Sequence, residues 1–328
     1  MLQMEIINIH HPYKQEEIPK EPIVLALGFF DGVHRGHQQV ILEAKRQAED
    51  RGAKLAVMTF NHHPSIVFQK LDAETMRYLS VMDRKIELME SLGVDYFYVV
   101  AFTYDFGTLT PQEFVDQYIV GLNAKAIVAG FDYTYGPKEI ADMAHLPEYA
   151  KNRFDIIEVS PQVSDNKEKI SSTCIREALD TGDLEKANSM LGYIYQFGGH
   201  VMHGDARGRE LGFPTANIKV SKNVRLPKVG VYVVSIRVQG EWHQGMASIG
   251  YNITFEKNRD KTIEVNILDF NKMIYGEEVE VRWHHFLRDE VKFSGMDALI
   301  DQLKQDQLDA EKYFRDNPAA LEMTELER

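Results

Sequence analysis

Residues 28–37 read Gly-Phe-Phe-Asp-Gly-Val-His-Arg-Gly-His, directly after the apolar run Ile23–Leu27 and directly before the amphipathic stretch His37–Asp50. A strand that ends in a glycine-rich turn and hands over to a helix points the first half of the chain to an α/β layout. Glycine lets the backbone turn tightly and approach a ligand closely. The helix start offers unpaired N–H groups and the positive end of the helix dipole, which together suit a phosphate. His34 and His37 stand three apart, so both can face one phosphate group. Read blandly, the string is a turn with two surface histidines. Its place after the first strand favours the phosphate site.

The rest of the first half keeps the same rhythm. Further short apolar runs fall at Leu55–Thr59, Tyr96–Phe102, Ala126–Ala129 and Ile156–Val159. Helix-like stretches lie between them at Arg84–Ser91, Pro111–Val120 and roughly Glu139–Lys151. Thr110–Pro111 is a good helix start, since proline suits the first helical position and threonine caps it. Such alternation predicts a parallel sheet covered by helices, with ligands outside the carboxyl ends of its strands.

The pattern changes near residue 185. A helical stretch, Thr173–Leu191, leads into candidate strands at Gln196–Met202, Val231–Gln239, Trp242–Ile249, Ile263–Leu268 and Glu278–His285. Valine, isoleucine and tyrosine fill them and glycine and proline punctuate them, which predicts a compact antiparallel barrel. Met296–Phe314 has helical periodicity and is expected to pack on that barrel. The expected domains are residues 1–184 and 185–328, and a chain of 328 residues is long enough for two cores.

Composition narrows the function classes. No segment approaches the ~18 to 20 apolar residues that cross a bilayer. Met1 to His11 has neither a positive n-region nor an apolar h-region, so no signal peptide is expected. A single cysteine, Cys174, makes no internal disulfide and fits a reducing cytoplasm. A net charge of −13 argues against general nucleic-acid binding, which needs basic surface.

A second glycine-rich segment runs from Gly204 through Arg207, Gly208, Arg209 and Gly212 to Phe213-Pro214-Thr215-Ala216-Asn217. Thr215 and Asn217 are two apart, so in an extended segment both side chains share one face. Two such oxygens suit Mg²⁺, which keeps some waters and also takes nucleotide phosphate oxygens. The bland alternative is a turn with incidental polar residues.

Phe30-Asp31-Gly32-Val33-His34-Arg35-Gly36-His37, with Gly130-Phe131-Asp132-Tyr133-Thr134-Tyr135-Gly136 and Lys169-Ile170-Ser171-Ser172-Thr173-Cys174-Ile175-Arg176, resembles the nucleotidyltransferases marked by His-x-Gly-His, and among them the bacterial FAD synthetases. The run Gly208-Arg209-Glu210-Leu211-Gly212-Phe213-Pro214-Thr215-Ala216-Asn217 is similar to the riboflavin kinase signature, and Glu264–Phe270 and Phe286–Phe293 agree with it. The resemblance spans nearly the whole chain. It implies a Rossmann-like nucleotidyltransferase domain followed by an antiparallel β-barrel riboflavin kinase domain with a C-terminal helix.

It also implies roles for particular residues. His34, His37, Arg176 and Glu264 would be catalytic, Glu264 as the base for the ribityl hydroxyl. Gly28, Phe30, Asp31, Gly32, Gly36, Ser172 and Thr173 would hold ATP phosphates in the first half, and Gly208, Arg209 and Gly212 in the second. Lys169 is a weaker phosphate candidate, and Ser172–Thr173 also reads as a simple helix cap. His63, Asp132 and Arg288 would meet the flavin, and Thr215 and Asn217 the Mg²⁺. Riboflavin, FMN, FAD and ATP are then the expected partners. Three places depart from the family pattern: His62 and Ile253 replace prolines, and Pro137-Lys138-Glu139 fills a loop where glycine is common. The competing readings are a chain with one live activity and a flavin-binding regulator that does not turn over.

Overall fold

A computed structural model describes residues 4–69, 72–163, 168–204, 208, 211–251, 261–321 and 326. The chain divides into two compact units, Met1–Ser172 and Thr173–Arg328.

The first unit is built on six parallel strands: β1 (Glu5–Ile9), β2 (Ile23–Leu27), β3 (Lys54–Phe60), β4 (Tyr96–Val100), β5 (Ala124–Gly130) and β6 (Asp155–Val159). Their order across the sheet is β1-β4-β3-β2-β5-β6. All five residues of β2 are buried, as a parallel strand covered on both faces requires. From β2 the chain steps outward through β3 and β4, then returns to place β5 on the other side of β2. That reversal opens a crevice at the carboxyl ends of β2 and β5, where open α/β sheets take their ligands. Helix α1 (Arg35–Arg51) leaves from this end, buries Val40, Ile41, Ala44 and Ala48, and stops at Gly52 in the left-handed conformation.

The Thr110–Pro111 start closes a full capping box with Glu113. Glu139–Lys151 differs from expectation: only Leu146–Ala150 is helical. The Asp142 carboxylate accepts from the N–H groups of Ala144 and His145, each at 3.1 Å, and Thr134 bridges Asp142. Those local bonds close residues 134–145 into a turn and compete with helix.

In the second unit the helical stretch after Thr173 is two helices, Ser172–Thr181 (its first residue in the first unit) and Leu184–Leu191, broken at Gly182 with φ 85° and restarted by the Asp183 cap. Strands β7 (Tyr195–Met202), β8 (Thr215–Lys219), β9 (Gly230–Val238), β10 (Glu241–Tyr251), β11 (Lys261–Ile267) and β12 (Glu278–Arg288) close an antiparallel barrel in the order β10-β11-β8-β7-β12-β9. Trp283, Tyr195 and Tyr232 are among its buried rings. The helix Met296–Asp316 lays Ala310 and Phe314 against Phe213, Val233 and Met246.

Candidate active sites

The turn after β2 is strained. Phe30, Gly32 and Val33 all have positive φ, at 54°, 80° and 37°. For a bulky or β-branched residue such a conformation costs about 1–3 kcal/mol and persists only where neighbours over-determine it. Here they do. The Asp31 carboxylate accepts from the Leu79 and Ser80 N–H groups at 2.9 and 3.2 Å, and Gly32 N–H donates to Ser80 Oγ at 2.8 Å. The Phe29 carbonyl accepts from Thr59 Oγ1 at 2.8 Å and from Lys85 Nζ at 2.7 Å. The Ser172 hydroxyl donates to the Asp31 carbonyl at 3.0 Å. Gly28 has no room for a side chain, because a Cβ there would sit 2.9 Å from the Phe30 ring.

His34 is the N-cap of α1: its Nδ1 accepts from the His37 N–H at 3.3 Å. A neutral His34 therefore carries its proton on Nε2. The two imidazoles stack with centroids 3.6 Å apart and planes 18° apart. The His37 Nδ1 is buried without a hydrogen-bond partner. Burial first, then the nearby His34 and Lys85, hold His37 well below the usual histidine range, so it is neutral at pH 7.

These residues face a cleft of about 380 Å³. Gly28, Phe30, His34, Gly36, His37, His63, Asp132 and Ser172 line it, with Phe60, Phe131 and Tyr133 supplying apolar surface. His63 sets its ring edge-on to Phe29 at 5.1 Å and bonds Ser65 Oγ at 2.6 Å. Asp132 pairs with Lys169 at 3.0 Å. Asp31 and Gly32 lie behind the cleft, in the framework of the turn. Thr173 and Arg176 follow Ser172 on the same helix, within the second compact unit. Thr59, Ser80 and Lys85 form part of the scaffold and were not singled out by motif. His62 and Glu139 are exposed.

In the barrel, Asn217 on β8 pairs in register with Glu264 on β11. Thr215, one pleat along, donates from Oγ1 to Glu264 Oε2 at 3.1 Å. Three oxygen-bearing side chains thus share one strand face. Gly204 lies against the Asn217 amide, where a Cβ would collide. Beside Thr215 opens a second cleft of about 410 Å³, lined by Pro214, Ala216, Phe270, Met273 and Tyr275 among others. Gly212 takes φ 83°, as a loop glycine can, and Gly208 sits against the Phe213 carbonyl. Arg209 and Ile253 lie outside the described residues. Arg288 meets Asp306 of the last helix: Nη2 and Nε reach its carboxylate at 2.7 and 2.9 Å, and Asp306 is 2% exposed.

A parallel sheet with a helix start facing a cleft at its strand reversal, and a barrel that gathers threonine, asparagine and glutamate on one face, together fit a nucleotide-using transferase built in two parts. A family profile described as FAD synthetase matches residues 16–174, and one described as riboflavin kinase matches residues 191–314. Over 311 residues the chain is 50% identical to a bifunctional riboflavin kinase/FMN adenylyltransferase of Listeria monocytogenes, covering 95% of this chain and 98% of that one. It is 42% identical to the Bacillus subtilis protein of the same description and 33% to that of Escherichia coli K12, each over 95% of this chain and 98% of the relative. A crystal structure described as a macrolide-efflux protein from Streptococcus pneumoniae superposes with a TM-score of 0.85 at 39% identity, covering 93% of this chain and 99% of that one. Among the described residues no helix is long and apolar enough to cross a membrane. The chain belongs to the bifunctional riboflavin kinase/FMN adenylyltransferase family.

Proposed function

We propose that the chain makes FAD from riboflavin in two ATP-dependent steps, riboflavin phosphorylation in residues 185–328 and FMN adenylylation in residues 1–184. The observation that carries the reading is the stacked His34–His37 pair at the start of α1, inside the cleft at the strand reversal. The helix Ser172–Thr181 counts with the first half on its Ser-Ser-Thr motif, although Thr173 onward packs in the second compact unit. The single cysteine supports a cytoplasmic enzyme.

In the adenylylation step an oxygen of the FMN phosphate attacks the α-phosphorus of ATP, and the bond to the β-phosphate oxygen breaks to release pyrophosphate. The nucleophile is already an anion, so positioning and charge stabilisation suffice. With Nδ1 capping α1, His34 presents Nε2–H as a donor, and the N–H groups of the first turn of α1 add theirs. His63 and Asp132 are assigned to the flavin side, and Ser172, Thr173 and Arg176 to the ATP phosphates.

In the kinase step the ribityl 5′-hydroxyl attacks the γ-phosphorus, its proton passes to Glu264, and ADP leaves. Thr215 holds the Glu264 carboxylate in place by its hydrogen bond. Thr215 and Asn217 fit Mg²⁺ as neutral oxygen donors beside one carboxylate, a set that leaves room for waters and phosphate oxygens. The ion, when bound, draws charge from the β- and γ-phosphates. Gly208, Arg209 and Gly212 belong to the loop assigned to the nucleotide, and Arg288 to the flavin.

The test is incubation with riboflavin, ATP and Mg²⁺, with flavins separated over time. FMN is expected first and FAD after it. Accumulation of FMN alone would leave one live half, and riboflavin binding without ATP consumption would leave a regulator.

A further inference from the structure

Lys85 belongs to the helix Met82–Ser91 and turns inward with Leu88 and Met89; it is 2% exposed. Its ammonium donates to the Phe29 carbonyl at 2.7 Å and to Thr59 Oγ1 at 3.4 Å, and sits 4.4 Å from the centroid of the Phe29 ring. Among the described residues it makes no ion pair. The nearby Asp31 carboxylate is occupied by the Leu79 and Ser80 N–H groups. Burial outweighs the support of the Asp31 charge and pulls the lysine down to about 8. A neutral donor would bond the Phe29 carbonyl as well. Asp31 compensates the ammonium charge only in part, and the cleft over this turn is the one read as taking ATP and FMN.

We propose that Lys85 is a positioning residue for FMN adenylylation: its ammonium holds the Phe29–Val33 turn from behind and adds positive charge beneath the cleft that nucleotide phosphates would occupy. This rests on the adenylyltransferase reading of that cleft. The charged and titratable groups that act on Lys85 are Asp31 on the turn and His37 on α1, with Thr59 on β3 accepting its hydrogen bond, while Arg84 and Glu87 on its own helix pair with each other. His37 is neutral throughout the alkaline range, so it adds no step there. Tyr78, packed on Phe29, is raised above its usual value of 10 by burial.

The activity sign follows from the charged form being the working one. As pH rises through about 8, Lys85 loses its proton and kcat/KM for ATP in adenylylation falls. Stability moves the other way. The unfolded lysine stays protonated to about 10.5, so between 8 and 10.5 the unfolded chain binds more protons and deprotonation favours the fold. A lysine with only a structural role would not lower activity while raising stability.

The experiment follows FMN adenylylation from pH 7 to 9.5 in the full chain, with riboflavin phosphorylation by the same molecules as internal reference and thermal unfolding at each pH. Wild type is expected to lose adenylylation around pH 8 without losing stability. Lys85→Arg keeps a fixed charge and should show no such step. Lys85→Met should lower kcat/KM for ATP about 10- to 100-fold at pH 7.5, less than the loss of a donor that touches the developing charge because Lys85 acts through the turn, and spare the kinase step. Wild-type adenylylation that stays flat across this range overturns the proposal even where Lys85→Met does not fold. A folded Lys85→Met with the wild-type kcat/KM does the same. Wild type that makes no FAD from FMN at any pH overturns the functional reading and this proposal with it.

Discussion

His34 caps the helix that carries His37, and the two rings stack 3.6 Å apart. The cap fixes the His34 ring, and the stack fixes His37 against it. Two imidazoles in such contact resist carrying two charges, which is part of why His37 is held neutral. That arrangement suits the role proposed for both as oriented N–H donors to phosphate.

His37→Ala should therefore lower FAD formation from FMN about 10²- to 10³-fold, the scale of losing one preorganised donor to a developing charge. Riboflavin phosphorylation should be unchanged, because the barrel carries its own oxygen cluster. The check is the initial rate of each step, started from FMN or from riboflavin. Equal loss of both in a folded variant would contradict two separate sites.

Glu264→Gln should remove riboflavin phosphorylation and leave FAD synthesis from supplied FMN. Glutamine keeps the shape and accepts the Thr215 hydrogen bond, but takes no proton. Loss of a general base costs about 10²- to 10⁴-fold in rate. A wild-type phosphorylation rate in a folded variant would remove Glu264 from the chemistry.

Much of this was legible before the structure. The strongly apolar runs became β2 to β5, because buried parallel strands need continuous apolar sequence, and Ile156–Val159 became the half-exposed edge strand β6. β1 escaped: Glu5–Ile9 is a short edge strand whose exposed Ile6 and Asn8 alternate with buried Ile7 and Ile9. β8 escaped as a strand because Thr215–Lys219 is short and half polar, although the shared face of Thr215 and Asn217 was foreseeable from their spacing. Lys85 had a signal in its periodicity, standing three and four residues before buried Leu88 and Met89. What no spacing reveals is the remote partner: Asp31 meets Leu79 and Ser80, and Asp306 meets Arg288, only through the fold.

That last pair yields a stability prediction. Asp306 is almost fully buried and its carboxylate is shared by Arg288 and by Gln302 Nε2 at 2.9 Å. Removing one member of a buried pair leaves the other uncompensated and costs about 3–5 kcal/mol. Asp306→Ala should lower the urea midpoint of the barrel accordingly, while the double variant Asp306→Leu with Arg288→Met should recover most of it. If Arg288 also serves the flavin, Arg288→Met should raise KM for riboflavin beyond the rise seen in Asp306→Asn. Equal midpoints for wild type and Asp306→Ala would mean the pair contributes nothing.

His284 makes the barrel sensitive to acid. Its Nε2 meets Ser235 Oγ at 2.9 Å, and both residues are buried. Burial, then the neighbouring Arg282, pushes this histidine down to about 3, against 6.5 when unfolded. The folded barrel therefore keeps His284 neutral where the unfolded chain has already bound its proton. Between pH 6.5 and 3 the unfolded state holds the extra proton, so stability is present above 6.5 and is lost as pH falls. The slope from one such group is at most ~1.4 kcal/mol per pH unit. Other groups titrate in the same range, so the informative quantity is the difference from His284→Gln, which keeps a polar partner for Ser235 and has no proton to bind. Urea unfolding of the full chain at pH 7, 6 and 5, followed by the fluorescence of Trp242 and Trp283, both on barrel strands, should show wild type losing stability more steeply than the variant. Parallel declines would show that His284 titrates normally in the folded barrel and that its burial carries no acid penalty.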